Sequence, residues 1–290
     1  MRGRARILAV ATVAGAGWTA GATAAPIAGD YGGGTIAAGF TYAKTGRFTL
    51  IGLRTDPAAG TALVNVRADN RCGVADVVRR VPLAPDGSFT LRATARKRVQ
   101  NQRFQRKTVR IVVFGRVDGG AGSGNVRARV TYRTRGRIDR VCRIRTQGWQ
   151  VRVPSAEPAP AAPRAGTVYH GLTSQRVKRP RPIVLRVDRR GRRLKAAVFQ
   201  HRRACQTGRY SYTNISPGAR IRSDGSFART ERFGLGFSNA VEHFKVRMRG
   251  QFTPNGVRGT ITIGTISRAR SDGRVIDRCP ARRISFSAHP

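Results

Sequence analysis

The chain has 290 residues and is strongly basic, with 56 Lys and Arg against 14 Asp and Glu and a formal net charge of +42. This scarcity of carboxylates leaves few candidates for the paired acids of a glycosidase or the ligands of a calcium loop. Beyond the N-terminus, no segment approaches the ~20 apolar residues that a membrane-spanning helix needs. The composition therefore favours binding to anionic partners over carboxylate chemistry.

Residues 1–24 are predicted to be a secretory signal peptide. Three arginines lie among the first six residues, and an uncharged run rich in Ala and Gly extends from Ile7 to Ala22. Ala22-Thr23-Ala24 then supplies a small-residue cleavage site. The alternative is an uncleaved membrane anchor, which the shortness of the apolar run disfavours. We therefore expect a protein that is secreted or associated with the cell wall.

Two segments repeat the same landmarks in the same order, at offsets of 133 to 138 residues. The first set is Tyr31, Cys72, Asp86–Phe89, Gly115, Gly124, Gly136 and Cys142. The second set is Tyr169, Cys205, Asp224–Phe227, Gly250, Gly259, Gly273 and Cys279. We predict two copies of one domain, at residues 25–153 and 166–290, joined by a semi-rigid linker rich in Pro and Ala at residues 154–165.

Both copies are polycations. Residues 25–153 carry 25 basic and 7 acidic residues, and residues 164–290 carry 28 and 6. Only six of the basic residues are Lys, and the guanidinium fork of Arg binds phosphate and carboxylate in bidentate fashion. A GC-rich genome would also replace Lys by Arg, although it would not remove Asp and Glu. The sequence leaves both explanations of the arginine content open.

The four cysteines of an exported chain indicate disulfides, and three pairings are possible. The repeat favours one bridge in each copy, Cys72–Cys142 and Cys205–Cys279, because bridges between the copies would interlock the domains. No Cys-x-x-Cys motif occurs, so zinc or redox chemistry has little support. We expect no metal and no cofactor.

Apolar and polar residues alternate within each copy, as in half-buried antiparallel strands. The alternation is clear at residues 126–133 and 244–249. Asp-Gly, Gly-Gly and Asn-Gly pairs mark turns between such runs. We therefore predict an all-β protein of two homologous antiparallel domains, each a β-sandwich or small β-barrel of about eight strands with one disulfide.

The sequence predicts no enzyme. The second copy contains all four histidines, which are His170, His201, His243 and His289. No two of them have metal-binding spacing, and no Ser lies in a Gly-x-Ser-x-Gly elbow. A hydrolase built on the second copy around His201 or His243 is the enzymatic alternative.

Arginines alternate with apolar residues on the predicted strands, which places their side chains outward. Candidate contacts to a polyanion are Arg127, Arg129 and Arg133 in the first copy and Arg247 and Arg249 in the second. The expected partner is an anionic cell-wall or extracellular polymer, gripped at two points by the two domains, and nucleic acid would bind only nonspecifically. The alternatives are a small apolar ligand inside each β-unit, or a structural envelope protein without a specific ligand.

The landmarks also resemble a class of exported, Arg-rich β-domains of high-GC actinobacteria. Those domains have a Gly-x-Tyr-x-Gly-x-Thr-like start, a mid-domain Cys, an Asp-Gly-x-Phe turn and a late Cys before a Trp or Phe strand. Here the starts are Tyr31–Thr35 and Tyr169–Thr173, and the late aromatic residues are Trp149 and Phe286. The resemblance spans nearly all of the mature chain. It implies export, a β-fold and one disulfide per domain, and it assigns no functional residue.

Overall fold

The fold was analysed in a computed structural model that describes residues 25–36, 48–70, 72–99, 104–153, 162–175, 178–236 and 239–290. The predicted signal peptide and residues 154–161 of the predicted linker lie outside these ranges. Within the described ranges, no helix is long and apolar enough to span a membrane.

The described residues of each predicted copy form eight β-strands. The first copy comprises β1 (Gly29–Ile36), β2 (Phe48–Asp56), β3 (Thr61–Asp69), β4 (Val74–Pro82), β5 (Ser88–Arg98), β6 (Gln105–Asp118), β7 (Ala121–Thr134) and β8 (Arg137–Arg152). The second comprises β9 (Val168–Thr173), β10 (Pro182–Val187), β11 (Arg193–Cys205), β12 (Gly208–Arg220), β13 (Ser226–Gly236), β14 (Ala240–Thr253), β15 (Gly256–Ala269) and β16 (Val275–His289).

The two sheets have the same up-and-down topology. The strand order is β4-β3-β2-β1-β8-β7-β6-β5 in the first sheet and β12-β11-β10-β9-β16-β15-β14-β13 in the second, with antiparallel neighbours throughout. Because the first strand of each copy pairs with the last, the meander curls back on itself. Among the described strands, the sheet of the first copy is open at the seam between β4 and β5, and that of the second copy at the seam between β12 and β13. The prediction of two antiparallel all-β domains of about eight strands is confirmed, and their shape is barrel-like.

The repeated landmarks build the inside of each copy. In the first copy the Trp149 ring packs 6.0 Å from Phe89, and it covers Gly115 and Gly124 so closely that a Cβ would lie 2.2 or 2.6 Å from its atoms. In the second copy, a Cβ on Gly259 would lie 2.7 Å from the Phe286 ring, and a Cβ on Gly250 would lie 2.5 Å from the Phe227 ring. These glycines recur because the packed aromatic rings leave no room for a side chain.

The tyrosine and turn landmarks also have structural roles. The Tyr31 hydroxyl donates a hydrogen bond to the carbonyl of Gly119, at 2.6 Å, and the Tyr169 hydroxyl accepts one from the backbone N–H of Arg164. In the turn before β5, the Asp86 carboxylate accepts the N–H of Ser88 and Gly87 has a φ of +79°, a conformation that favours glycine.

One disulfide lies in each copy, Cys72–Cys142 and Cys205–Cys279, which confirms the predicted pairing. Each bridge joins the C-terminal side of the third strand to the last strand, and two strands separate these elements in the sheet order. The closed loops span 70 and 74 residues, for which chain entropy predicts a stabilisation of roughly 4 kcal/mol. The disulfides are compatible with an extracytoplasmic location.

The two copies pack directly on each other. A shared apolar cluster joins residues of β1 and β2 to residues of β10 and β11; its buried members are Ile36, Phe48, Leu50, Val184, Ala196 and Val198. At Gly32 a Cβ would lie 2.1 Å from the carbonyl oxygen of Gly171, so the glycine permits a close backbone approach. The Asn65 amide donates to the Pro180 carbonyl and to the Gln200 side chain across the same contact.

Candidate anion-binding grooves

A groove of about 690 Å³ crosses β5 to β8 on the outer face of the first copy. We call it the first arginine groove. Six exposed arginines line it, which are Arg92, Arg110, Arg127, Arg129, Arg143 and Arg145. None of the six forms an ion pair with a carboxylate in the described part of the chain. The groove therefore concentrates positive charge that no ion pair with a described carboxylate neutralises.

Strand register places three of these arginines side by side. Arg110 of β6 lies directly opposite Arg129 of β7, and Arg129 lies directly opposite Arg143 of β8. We call these three residues the arginine row. Adjacent strands are about 4.8 Å apart, and like charges directly opposite each other destabilise a sheet. An anion bound along the row would offset this repulsion.

A β-bulge shapes the groove. The register between β7 and β8 shifts between Val126 and Ala128, which leaves Arg145 and Thr146 both exposed on the bulged strand. The register between β15 and β16 also shifts, between Ile263 and Thr265, which is two residues further along at the repeat offset of 135. Bulges bend a strand and redirect its side chains. The two bulges therefore help to set the direction of the outward side chains on the last strand of each copy.

The second copy has an arginine-lined groove of about 560 Å³, which we call the second arginine groove. Its basic residues are Arg222, Arg229, Arg247, Arg249, Arg258 and Arg283. The register here separates the charges, because Thr262 lies between Arg247 and Arg283 and the neighbour of Arg249 on β15 is Thr260. Guanidinium groups are thus more widely spaced than in the arginine row.

Four of the five predicted contacts lie in these grooves. Arg127 and Arg129 line the first arginine groove, and Arg247 and Arg249 line the second. Arg133 lies outside both, half-buried on β7 between Arg106 and Ile138.

Sequence reasoning missed the other arginines of the two grooves, among them Arg110 and Arg143. The alternation on a single strand shows which residues point outward. It does not show which residues of neighbouring strands lie opposite one another.

Several carboxylates hold the fold together instead of neutralising the grooves. Asp30 pairs with Arg54 at 2.7 Å. Asp76, on the edge strand β4, binds the ammonium groups of Lys97 and Lys107, which reach across the seam. Burial acts to raise the pKa of Asp76, but the charges of Lys107 and Lys97 and a hydrogen bond from Lys97 lower it to about 2.

The histidines occupy different environments. His170 is buried near the contact between the copies, where burial and the charge of Arg152 lower its pKa to about 4. His201 lies inside the second copy beside Phe199, with ring centroids 5.6 Å apart, and His289 is 3.1 Å from the carbonyl of Asn255. His243 is exposed on the outer face of β14.

Core side chains fill the inside of both copies. Tyr31, Trp149 and Leu53 are almost fully buried in the first copy, as are Phe199 and Phe252 in the second. The grooves described above lie on the outside, which favours the outer faces over an enclosed apolar site.

Searches with this sequence found no matching family model and no matching curated protein. Among solved structures, the chain matches a protein from Nitrosomonas europaea named "putative AttH", at 10% identity. The match covers 89% of this chain and 90% of the other, with a TM-score of 0.21. At so low a TM-score the match says nothing about function.

Proposed function

We propose that this protein is exported and binds anionic polymers of the cell envelope or extracellular space, without catalysis, through its two arginine grooves. The observation that carries the proposal is the arginine row of Arg110, Arg129 and Arg143. Three guanidinium groups lie opposite one another without a carboxylate partner among the described residues. Phosphate, sulfate or carboxylate groups of a polymer would accept their forked hydrogen bonds and remove their mutual repulsion.

The predicted signal peptide and the two disulfides support export. An exported polycation meets wall polymers and acidic polysaccharides before it meets nucleic acid. Nucleic acid would still bind nonspecifically, because any dense array of phosphates attracts this charge.

The contact between the copies strengthens the case for a polymer. Because β1 and β2 pack on β10 and β11, the two arginine grooves are held at a fixed separation. A polymer that spans both grooves would gain avidity without the entropic cost of ordering a flexible linker.

The test is binding of the oxidised protein to purified cell wall across a salt series, with double-stranded DNA as the control polyanion. The decisive variant replaces the arginine row (Arg110→Ser, Arg129→Ser and Arg143→Ser). A control of equal charge replaces three exposed arginines outside both grooves (Arg79→Ser, Arg80→Ser and Arg189→Ser). Both variants lose three positive charges.

We expect the row variant to weaken wall binding at least tenfold. It should also reduce the steepness of log K against log salt by about 2 to 3, because each of the three lost phosphate contacts contributes roughly 0.7 to 0.9 to that slope. The control should change binding much less. Equal losses in the two variants would mean that only the overall charge matters, and wall binding that fades with salt as fast as DNA binding would contradict a specific envelope partner.

A further inference from the structure

The second copy has another groove, of about 730 Å³, on the outer face of β13 to β16. Its basic lining residues, which we call the rim, are Arg232, His243, Lys245 and Arg278. Among the uncharged lining residues, we call Gly234, Gly264, Ile266, Pro280 and Ala281 the floor; the lining also includes Phe233, Phe244, Gln206 and Thr265. We call the whole the glycine groove. In the described residues, none of the rim side chains forms an ion pair with a carboxylate.

The fold does not require the two glycines of the floor. A Cβ on Gly264 would come no closer than 3.4 Å to Ala281, and one on Gly234 no closer than 3.5 Å to Val241, which are ordinary contacts. Neither residue has a positive φ. By contrast, a Cβ on Gly259 of the same sheet would lie 2.3 Å from a backbone oxygen.

Glycine inside a strand weakens the strand and often marks a place where a ligand approaches closely. At the repeat offset of 135 residues, Gly264 of the second copy corresponds to Arg129 of the arginine row. Gly264 lies opposite Lys245 on β14, so a cation remains beside the opened space. Where the first copy has a row of arginines, the second copy therefore has a cavity with cations on its rim.

We propose that the glycine groove binds a single-chain anionic amphiphile. The hydrocarbon chain lies on the floor, and its carboxylate or phosphate head binds the cations of the rim. This site is separate from the polymer-binding grooves and goes beyond the function proposed above.

The chemistry of the floor selects this ligand over a sugar or a nucleoside. The side chains of Ile266, Pro280 and Ala281 have no hydrogen-bonding groups, and the two glycines have no side chains. Sugar hydroxyls placed there would lose water and find only Gln206 and Thr265 as uncharged polar side chains in the whole lining, whereas a hydrocarbon chain loses no hydrogen bonds on leaving water. The groove volume falls within the roughly 300–1,000 Å³ of ordinary ligand sites. The rim cations then require the head to be negative.

The test uses 11-(dansylamino)undecanoate, a fluorescent fatty acid, below its micelle concentration, with its methyl ester as the uncharged comparison. Fluorescence titration of the oxidised protein should show saturable binding at one site. The acid should bind at least tenfold more tightly than the ester.

Filling the groove should weaken binding without unfolding the protein. Gly264→Leu should weaken binding of the acid at least tenfold, and Gly264→Ala, whose Cβ fits, by a smaller factor. Lys245→Ser with Arg278→Ser should remove the preference for acid over ester. The matched control is Gly148→Leu on the outer face of β8, where a Cβ meets nothing closer than 3.9 Å, and it should bind like the wild type.

The proposal is overturned if the wild type shows no saturable binding, if the ester binds as tightly as the acid, or if Gly264→Leu binds normally. Normal binding by that variant would place the ligand elsewhere, for example inside the barrel. The arginine-row variant separates the two proposals, because it should lose wall binding and keep binding of the fatty acid. Wall binding that persists while fatty-acid binding fails would overturn only this proposal.

Discussion

The two copies share their interiors and differ on their outer faces. Trp149 in one copy, and Phe227 with Phe286 in the other, cover a pair of glycines, and a bulge bends the last strand of each sheet. On the outside, the first copy has Arg129 where the second has Gly264. The comparison teaches that the barrel fixes the positions of the outer side chains and that the chemistry of the surface can change without rebuilding the core.

A second difference lies inside the barrels. Lys107 of the first copy reaches Asp76 across the seam, whereas the equivalent position of the second copy is Glu242, buried 3.9 Å from Arg203. Burial raises the pKa of Glu242, and the charge of Arg203 opposes that effect. The same location thus carries a cation in one copy and an acidic side chain in the other.

The disulfides should contribute equally to the two copies, which is the largest effect expected here. Removing Cys72–Cys142 or Cys205–Cys279 by paired Cys→Ala substitution should each lower the free energy of unfolding by roughly 4 kcal/mol, because the closed loops are of similar length. Urea unfolding of both variants measures this. A large loss from one pair and none from the other would show that the copies are not energetically equivalent.

His170 should make the free energy of unfolding depend on pH. The first copy should lack this contribution, because its equivalent position is Gly32, which does not titrate. Its pKa of about 4 in the folded state lies below the ordinary 6.5, so the unfolded chain binds more protons between these values. Stability should therefore fall as the pH drops from about 6.5 to about 4, by up to about 3 kcal/mol.

Urea unfolding at pH 7 and pH 4.5 tests this dependence against His170→Gln, which should lose much of it. Asp76 provides a separate signal, because its lowered pKa makes stability fall only as the pH drops from about 4 towards 2. An unchanged loss in His170→Gln would assign the dependence to other groups.

Substitution by alanine should lower the free energy of unfolding at glycines that face the core and raise it at glycines that face the glycine groove. Gly124→Ala places a Cβ 2.2 Å from a backbone oxygen and should cost about 2 kcal/mol. Gly264→Ala meets only ordinary contacts and should stabilise the strand by about 0.5 kcal/mol. Thermal and urea unfolding of the two variants compares them, and a large loss at Gly264 would mean that the fold needs this glycine.

The smallest effect should come from the arginine row itself. Without a bound anion, Arg129→Thr should raise the free energy of unfolding by about 0.5 kcal/mol at low salt, because it separates like charges on neighbouring strands. Added salt should erase the gain. In the second copy, Arg249→Thr should gain less because Arg249 lies opposite Thr260 on β15. A loss of stability in Arg129→Thr at low salt would contradict repulsion within the row.

Much of the fold could be predicted because its signals are local or repeated. Alternation along each strand indicated half-buried strands, and the repeat selected the disulfide pairing among three. The closure of β1 on β8 was not predictable in the same way, because no local pattern shows which distant strand a sheet edge will meet. For that reason the sequence left sandwich and barrel as alternatives.

The grooves were predicted only in part, and for the same reason. Arg127 and Arg129 were identified by their alternation, but the convergence of Arg110 and Arg143 on Arg129 depends on the register of three strands. Arg133 has the correct outward phase and still lies beyond the groove. The space above Gly234 and Gly264 left no signal in the sequence, because a missing side chain becomes a cavity only when its neighbours are known.

The most direct test of the account is arginine footprinting. The oxidised protein is treated with phenylglyoxal, with and without bound cell-wall polymer, and modification is measured at each arginine by mass spectrometry. The account predicts that polymer protects Arg110, Arg129 and Arg143 and leaves the exposed Arg79 and Arg80 reactive. Uniform protection of all exposed arginines, or none within the arginine row, would contradict it.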